Sequence, residues 1–383
     1  MMKPTIRVAM VSHGYHPVIG GAEQQIRSLV PYLQQEQIDL SVITRRFPGL
    51  QSRESVDGVD VLRIPVPPPK PVASVSFSAL GVNEIRSRKP QVLHAHGLFS
   101  TTTTAVIAKK LTGLPVIVKL MRGGVQGDIA RMKEKWLGAS RISYFGDVVD
   151  RFIVISQEID RELENAGVPQ DRRVFIPNGV DLERFRPPTN DEKSRLRASL
   201  EIDPEARVVV FTGRLAPEKR LDLLVDSWES VEKKVPGAQL VIVGDGPDRE
   251  KLTEASEGRN VLYPGRTDDV SPYLRAADAF VLPSDTEGLS NALLEAMAAG
   301  LPVIATDVGG ARDVIDHDRS GLIIPPGDRD ALESALVRVL GNRSYGMELG
   351  TAARARIEEG YGLKSTARSL RQLYESVIDE SRP

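Results

Sequence analysis

Residues 279–300 read AFVLPSDTEGLSNALLEAMAAG. The first four, Ala279–Leu282, are apolar without alternation, the signature of a strand buried on both faces of a parallel sheet. Pro283 ends the run, and a polar loop containing Gly288 carries the chain to Asn291. A helix is predicted from there, capped by Ser290 or Asn291 and stopped by Gly300, with Pro302 barring extension. A strand, a polar loop and a helix in that order are half of a βαβ unit, and such units build open parallel sheets.

The same alternation runs along the whole chain. In the first half, strands are expected at Ile6–Val11, Leu40–Thr44, Val59–Ile64, Val92–His94, Val116–Lys119, Phe152–Ile155 and Val174–Ile176. In the second half they are expected at Val208–Thr212, Leu240–Val243, Val261–Tyr263, Ala279–Leu282, Val303–Ala305 and Leu322–Ile324. The pattern is that of the doubly wound α/β class. A length of 383 residues suits two domains, each with its own core. The division falls in PNGVDLERFRPP, residues 177–188, where Asn178-Gly179 and two prolines interrupt the alternation. One domain is therefore expected at 1–180 and a second at 181–364. Val66–Pro71 is Pro-rich and reads as a loop inside the first domain. A last helix, about 365–378 within the terminal segment 365–383, puts Leu370, Leu373, Tyr374, Val377 and Ile378 on one face. That face needs a docking surface, and packing back on the first domain is one way to bury it.

Cysteine is absent, which excludes disulfides, cysteine-ligated zinc, iron–sulfur clusters and thiol catalysis. The five histidines show no metal-ligand spacing, so no metal and no other cofactor is expected. The apolar run Val8–Val11 is too short for a signal-peptide core, and no later segment reaches about eighteen apolar residues. The chain is thus expected to stay in the cytoplasm. Its net charge of −2 hides an asymmetry: residues 1–175 carry 23 Lys and Arg against 16 Asp and Glu, the remainder 27 against 36. A basic first half suggests an anionic partner, for which peripheral contact with an anionic membrane is one reading and plain solvated faces the other. The basic residues are dispersed and no recognised module appears, so no nucleic acid partner is expected.

Ligands of open α/β sheets bind beyond the carboxyl ends of the strands, which directs attention to four loops. In the first, Glu287 precedes a helix whose N-terminal N–H groups, from Leu289 through Ser290 to Asn291, offer an anion site. Glu295 lies one turn further on. Carboxylates beside a phosphate-binding helix end suit sugar hydroxyls, although each alone reads equally as an ordinary surface acid. In the second, Gly213-Arg214-Leu215-Ala216-Pro217-Glu218-Lys219-Arg220 sends a guanidinium and an ammonium out from one strand end, where a pyrophosphate can be clamped. In the third, Gly20-Gly21 opens a helix and lets the backbone approach a phosphate closely. The fourth is His94-Ala95-His96-Gly97, where a polar contact competes with a packed structural imidazole. Neither GxGxxG nor a P-loop is present, which counts against dinucleotide cofactors and P-loop nucleotide chemistry.

Together these segments resemble the retaining glycosyltransferases of family 4, the glycosyl transferases group 1, whose GT-B fold places two facing Rossmann-like domains around an interdomain cleft. The resemblance covers nearly the whole chain. Its strongest part is EGLSNALLEAMAAGLPVIATDVGG, residues 287–310, which looks like the family's E-x(7)-E region. GRLAPEK, VGDGPDREKL, IPNGVD, the Gly20-Gly21 loop and HAHG also occur in the family's order. The resemblance implies that the N-terminal domain binds acceptor and the C-terminal domain binds a nucleotide-sugar donor, by default a UDP-sugar. It implies that Arg214 and Lys219 neutralise the donor diphosphate and that Glu287 stands against the transferred sugar, these three being the residues assigned to catalysis. For donor binding it implies Glu295 on the ribose, Leu289, Ser290 and Asn291 on phosphate or sugar, and Gly265 and Arg266 around the base. Gly244 and Gly246 form the turn beside the nucleotide, and Gly20 and Gly21 form the remaining donor loop. Retention by front-face attack is implied, without an enzymic nucleophile or a metal ion. The acceptor is expected to be a glycan, a lipid-linked molecule or a small molecule.

One departure stands out. Many relatives have a histidine after the fifth strand, where this chain has Met121, followed by Arg122-Gly123-Gly124. His96 and Arg122 are accordingly the expected contacts to acceptor or sugar, Arg122 toward an anionic group. Two rival readings use the same phosphate contacts: a sugar-nucleotide epimerase, and a non-catalytic nucleotide-sugar-binding protein. The glutamate pair and GRLAPEK favour transfer.

Overall fold

The computed structural model describes residues 4–17 and 20–382. The chain divides into two units, one running to Gly179 and resuming at Leu363, the other Val180–Gly362. The first unit holds eight strands: β1 Ile6–Val11, β2 Ile38–Arg45, β3 Arg53–Val56, β4 Val59–Ile64, β5 Val92–His96, β6 Val116–Lys119, β7 Arg151–Val154 and β8 Arg173–Phe175. Their order is β3-β4-β2-β1-β5-β6-β7-β8. Every pairing is parallel except β3 with β4. The central strands β5 and β6 are buried at every position, so their sequences do not alternate, and the polar His94, His96 and Lys119 they carry are buried with the rest.

Strand β3 was not expected from the sequence. Its residues, Arg53-Glu54-Ser55-Val56, carry no apolar face, because it caps a sheet edge where polar side chains discourage further pairing. Glu54 pairs at 2.5 Å with Arg63 of β4, a guanidinium only 1% exposed.

The second unit holds β9 Arg207–Thr212, β10 Ala238–Val243, β11 Val261–Gly265, β12 Ala279–Leu282, β13 Val303–Thr306 and β14 Leu322–Ile324. Their order is β11-β10-β9-β12-β13-β14, and all are parallel. Helices cover the sheet, and the largest side chain in its core, Trp228 of the helix Leu221–Lys234, is fully buried.

The strand orders have a direct consequence for ligand binding. In the second unit the chain leaves β9 toward β10 on one side and β12 toward β13 on the other. Loops after β9 and β12 therefore diverge and open a crevice at the carboxyl edge, a topological switch point. The first unit has the same arrangement between β1 and β5. No described helix is long and apolar enough to cross a membrane.

The last helix, Leu363–Glu380, belongs to the first unit. It buries Leu370, Leu373, Tyr374 and Val377, while Arg371, 2% exposed, donates to the backbone carbonyls of Glu36 and Pro4. The Tyr374 hydroxyl shares a 2.8 Å hydrogen bond with Nδ1 of buried His94 on β5. Burial, reinforced by Lys119, pushes the His94 pKa down to about 3, so the ring is neutral. His94 Nε2 has no partner, so Tyr374 supplies the one hydrogen bond this ring makes among the described residues. Tyr374→Phe is expected to orphan a buried imidazole and destabilise the first unit by about 1–3 kcal/mol. Chemical denaturation followed through that unit's transition is the check; an unchanged midpoint would remove the hydrogen bond from the account of how the return helix is held.

Candidate active site

The loops after β9, β10, β11, β12 and β13 are tied to one another by backbone hydrogen bonds. Gly213 N–H donates to the Val243 carbonyl at 3.0 Å, Leu215 N–H to Asp245 at 3.0 Å, and Asp248 N–H to Leu215 at 3.1 Å. Gly244 N–H donates to Gly265 at 2.9 Å, Asp285 N–H to Glu218 at 2.9 Å, and Gly310 N–H to Gly288 at 2.7 Å. The approach of 213–215 to 244–246 is so close that Gly244, at φ 144°, has no room for a Cβ, which would overlap the Gly213 carbonyl oxygen. The result is a rigid rim of polar loops.

Two charged groups meet on this rim. Lys219 lies in the 3-10 turn Pro217–Lys219, and its Nζ donates to Oε1 of Glu287 at 2.6 Å. The Ser284 hydroxyl, fully buried, donates to the same carboxylate oxygen at 2.7 Å. Glu287 is itself buried, so its charge is taken out of water and held by a cation and a hydroxyl, as a buried carboxylate requires. Ser284 was not singled out from the sequence; it stands three residues before Glu287 in the same loop, and only the fold turns that spacing into a contact. Arg214 is exposed and makes no ion pair among the described residues. Of the two cations the sequence singles out in this loop, Lys219 is joined to Glu287 and Arg214 faces solvent.

The helix after this loop runs Asn291–Ala298, with Ser290 as its N-cap accepting from Leu293 N–H at 3.4 Å. Gly300 follows in the left-handed conformation expected of a helix stop. Leu289 is buried, and Glu295 is partly buried on the helix. Burial pushes the Glu295 carboxyl up to about 8; nearby Arg184 draws it down and Asp269 raises it. Arg184 is held in place by Asp269 at 2.9 Å. Gly246 N–H donates to the Asp245 side chain at 2.8 Å, Gly265 ends β11, and Arg266 beyond it is exposed.

In the first unit, Gly20 is the N-cap of the helix Gly21–Gln35, after β1. His96 ends β5, next to β1 in the sheet and cross-strand from Lys119 of β6. It is 7% exposed, stacks on His94 with ring centroids 4.5 Å apart, and neither ring nitrogen has a partner. Burial, His94 and Lys119 hold its pKa well below the ordinary range, so the ring is neutral. His94 is the packed imidazole of the two. The Lys119 side chain turns inward and donates to Asn178 Oδ1 at 2.8 Å, a contact joining strand β6 to the Asn-Gly turn at the unit's end. Burial brings the Lys119 pKa down to about 8. Arg122 is half-buried, and no ion pair holds it among the described residues. Its loop is fixed instead through backbone, with Met121 N–H donating to Asp128 at 2.7 Å and Gly124 N–H to Glu162 at 2.6 Å. No group of three or more His, Asp or Glu among the described residues is placed to hold a metal ion.

Two helix-covered sheets, parallel but for the edge strand β3 and each with a switch point at its carboxyl edge, are the two Rossmann-like halves of the GT-B fold. The model for a glycosyl transferase 4-like domain matches residues 20–179, and the model for glycosyl transferases group 1 matches residues 206–342. The chain belongs to the group 1, family 4 glycosyltransferases, and it is an enzyme of the hexosyltransferase class. It is 28% identical to a sulfoquinovosyl transferase of Arabidopsis thaliana, over 99% of this chain and 75% of that protein. It is 28% identical to a GDP-mannose-dependent monoacylated alpha-(1-6)-phosphatidylinositol monomannoside mannosyltransferase of Corynebacterium glutamicum, over 98% and 99%. Among solved structures, Anabaena HepE in complex with UDP-glucose superposes with a TM-score of 0.80 at 18% identity, covering 97% of this chain and 100% of that one.

The Glu295 carboxyl supplies a pH test. Its ordinary pKa is 4.5 and its folded pKa is about 8. The folded chain therefore holds this proton where the unfolded chain has lost it, and the stability so gained is complete below pH 4.5 and is lost as pH rises through about 8. Glu295→Gln is expected to flatten that decline. Urea midpoints of both proteins from about pH 5 to 8.5 make the comparison, and parallel profiles would place the Glu295 carboxyl in ordinary solvent.

Proposed function

We propose that this enzyme transfers a hexosyl group from a nucleoside diphosphate-sugar, by default a UDP-sugar, to a glycan or lipid-linked acceptor, with retention and without a metal ion. The observation that carries the proposal is the convergence, at the second unit's switch point, of Lys219, Glu287 and the N-terminus of the helix Asn291–Ala298. The departing diphosphate gains negative charge as the glycosidic bond breaks. Lys219, Arg214 and the N-terminal end of the helix Asn291–Ala298 supply positive potential where that charge develops. In the ligand-free chain the Lys219 ammonium is occupied by Glu287. A bound diphosphate competes for it, freeing one lone pair of Glu287 for a sugar hydroxyl while Ser284 keeps the carboxylate oriented.

Glu295, uncharged at neutral pH, is suited both to donate to and to accept from ribose hydroxyls. Gly244, Gly246, Gly265 and Arg266 frame the nucleoside, and Gly20-Gly21 contributes a backbone contact to the phosphate. The first unit takes the acceptor, with the neutral ring of His96 and the guanidinium of Arg122 as its polar contacts. The acceptor hydroxyl attacks the anomeric carbon on the face the diphosphate is leaving. A new C–O bond forms as the old one breaks, and the hydroxyl proton passes to the departing phosphate oxygen. Relatives named for GDP-mannose and for a phosphatidylinositol acceptor, and a structural neighbour holding UDP-glucose, support the donor and acceptor classes.

Arg214→Ala and Lys219→Ala are each expected to lower turnover by about two to three orders of magnitude, the size of effect typical of a lost transition-state donor. Full activity in both would overturn the diphosphate assignment. A thermal-shift panel of UDP, GDP and ADP names the base, since a ligand at about a hundred times its Kd adds about 2.7 kcal/mol.

The two glutamates separate kinetically. Glu287→Gln is expected to lower kcat, and Glu295→Gln to raise the donor KM with kcat nearly intact. The reverse pattern exchanges their roles. Arg122→Ala, compared on neutral and acidic donors and acceptors, is expected to lose rate selectively with the acidic ones; a uniform loss would leave Arg122 a structural residue.

A further inference from the structure

The basic excess of the first half is not spread evenly. Residues 100–146 contain eight Lys and Arg but only Asp128 and Glu134 as acids, a net charge of +6. Asp128 is spent inside the fold on the Met121 N–H, Lys119 on Asn178 and Lys109 on Asp150, which leaves Lys110, Arg131, Lys133 and Lys135 as the exposed cations of the stretch. The same stretch carries a group of large apolar side chains left in solvent. Trp136 is 86% exposed, Leu137 52% and Leu111 61%. Ile107 and Tyr144 are also exposed.

These side chains lie on two neighbouring helices. Ile107 and Leu111 are one turn apart on the helix Ser100–Thr112, and Tyr144 is on the helix Gly138–Val148. Arg141 of the second helix donates to Thr103 of the first at 3.1 Å, and Lys110 sits 4.9 Å over the Tyr144 ring. The exposed stripes therefore run side by side, with cations among them.

Trp136 and Leu137 stand in the turn that opens the second helix, and this turn is rigid. Lys135 N–H donates to the Met132 carbonyl at 3.0 Å and Gly138 N–H to the Lys135 carbonyl at 2.8 Å. Gly138 has no space for a side chain, since a Cβ would overlap the Met132 carbonyl oxygen. Leu137 is held at φ 53°, a left-handed conformation unfavourable for leucine. The fold thus holds a strained turn that buries neither Trp136 nor Leu137. Lys133 and Lys135, both exposed, flank it.

We infer that this face of the first unit docks on an anionic lipid surface, Trp136 and Leu137 entering the headgroup region while Lys110, Lys133 and Lys135 meet the anionic headgroups. Tryptophan favours the membrane interface, where its ring is in apolar surroundings and its N–H stays wet. Lysines at the margin add electrostatic attraction and extend their heads toward phosphate while their stems cover apolar surface. Lipid docking is independent of the transfer chemistry, so either stands if the other fails.

The chain has two tryptophans, and Trp228 is already fully buried. A blue shift of emission on adding vesicles therefore reports Trp136. The full chain is mixed with phosphatidylcholine vesicles and with vesicles that also contain phosphatidylglycerol, at low and high salt, and binding is followed by sedimentation and fluorescence. Binding to the anionic vesicles with a blue shift, weakened by salt, is expected. The Trp136→Ala/Leu137→Ser double variant should bind at least about tenfold more weakly. Lys133→Gln/Lys135→Gln should lose about thirtyfold, and only on anionic vesicles. Absence of vesicle binding overturns the inference. So does unchanged binding by the Trp136→Ala/Leu137→Ser variant, or a blue shift that follows protein concentration without lipid, which marks the face as a self-association surface.

Discussion

In a parallel sheet covered on both faces, every strand must point the same way, and every loop that follows a strand must emerge at one edge. That constraint governs both units, the antiparallel edge strand β3 apart. It brings Gly213–Arg220, Gly244–Asp248 and Pro283–Ser290 together although they lie tens of residues apart in sequence. Reversal of strand order between β9 and β12 keeps helices from closing over that edge. The polar rim owes its position to the buried Val, Ile and Leu of the strands beneath it.

Electrostatics on the rim is set by burial more than by proximity. Lys219, Ser284 and Glu287 form a triad in which each charge or hydroxyl has a partner. Glu295 has no such partner among the described residues, and its surroundings favour the neutral form. Two glutamates with seven residues between them in one motif thus sit in different surroundings, one paired with a cation and a hydroxyl and the other pushed toward its neutral form by burial. This difference is the physical basis for giving them different roles against sugar and ribose.

The first unit solves a different problem. Its return helix arrives from the far end of the chain and must be held by the unit it joins. Apolar packing of Leu370, Leu373 and Val377 supplies the bulk of the attachment, and the buried polar groups Arg371 and Tyr374 specify its register through Glu36, Pro4 and His94. His96 and Lys119 continue the same polar layer toward the carboxyl edge. A histidine that begins a family-like motif is therefore also a structural fixture, while its neighbour two residues on has neither ring nitrogen partnered among the described residues.

The strands and their class were legible from the chain alone, because burial on both faces demands continuous apolar runs that nothing else in a protein of this kind requires. That the polar, glycine-bearing loops after these runs emerge at one edge was legible too, since each follows a buried strand. Strand β3 was not legible, because an edge strand has no apolar face to reveal it. Nor were the partners: that Lys219 meets Glu287 in the ligand-free chain, that Ser284 donates to the same carboxylate, and that Lys119 turns inward to Asn178. Those depend on which side of a loop or strand a side chain leaves from, and a shift of one residue reverses that choice without altering composition or periodicity. The sequence by itself determined the class of fold and which loops follow its strands; tertiary packing alone decided which charges are paired, which are pushed toward neutrality by burial, and which stay exposed.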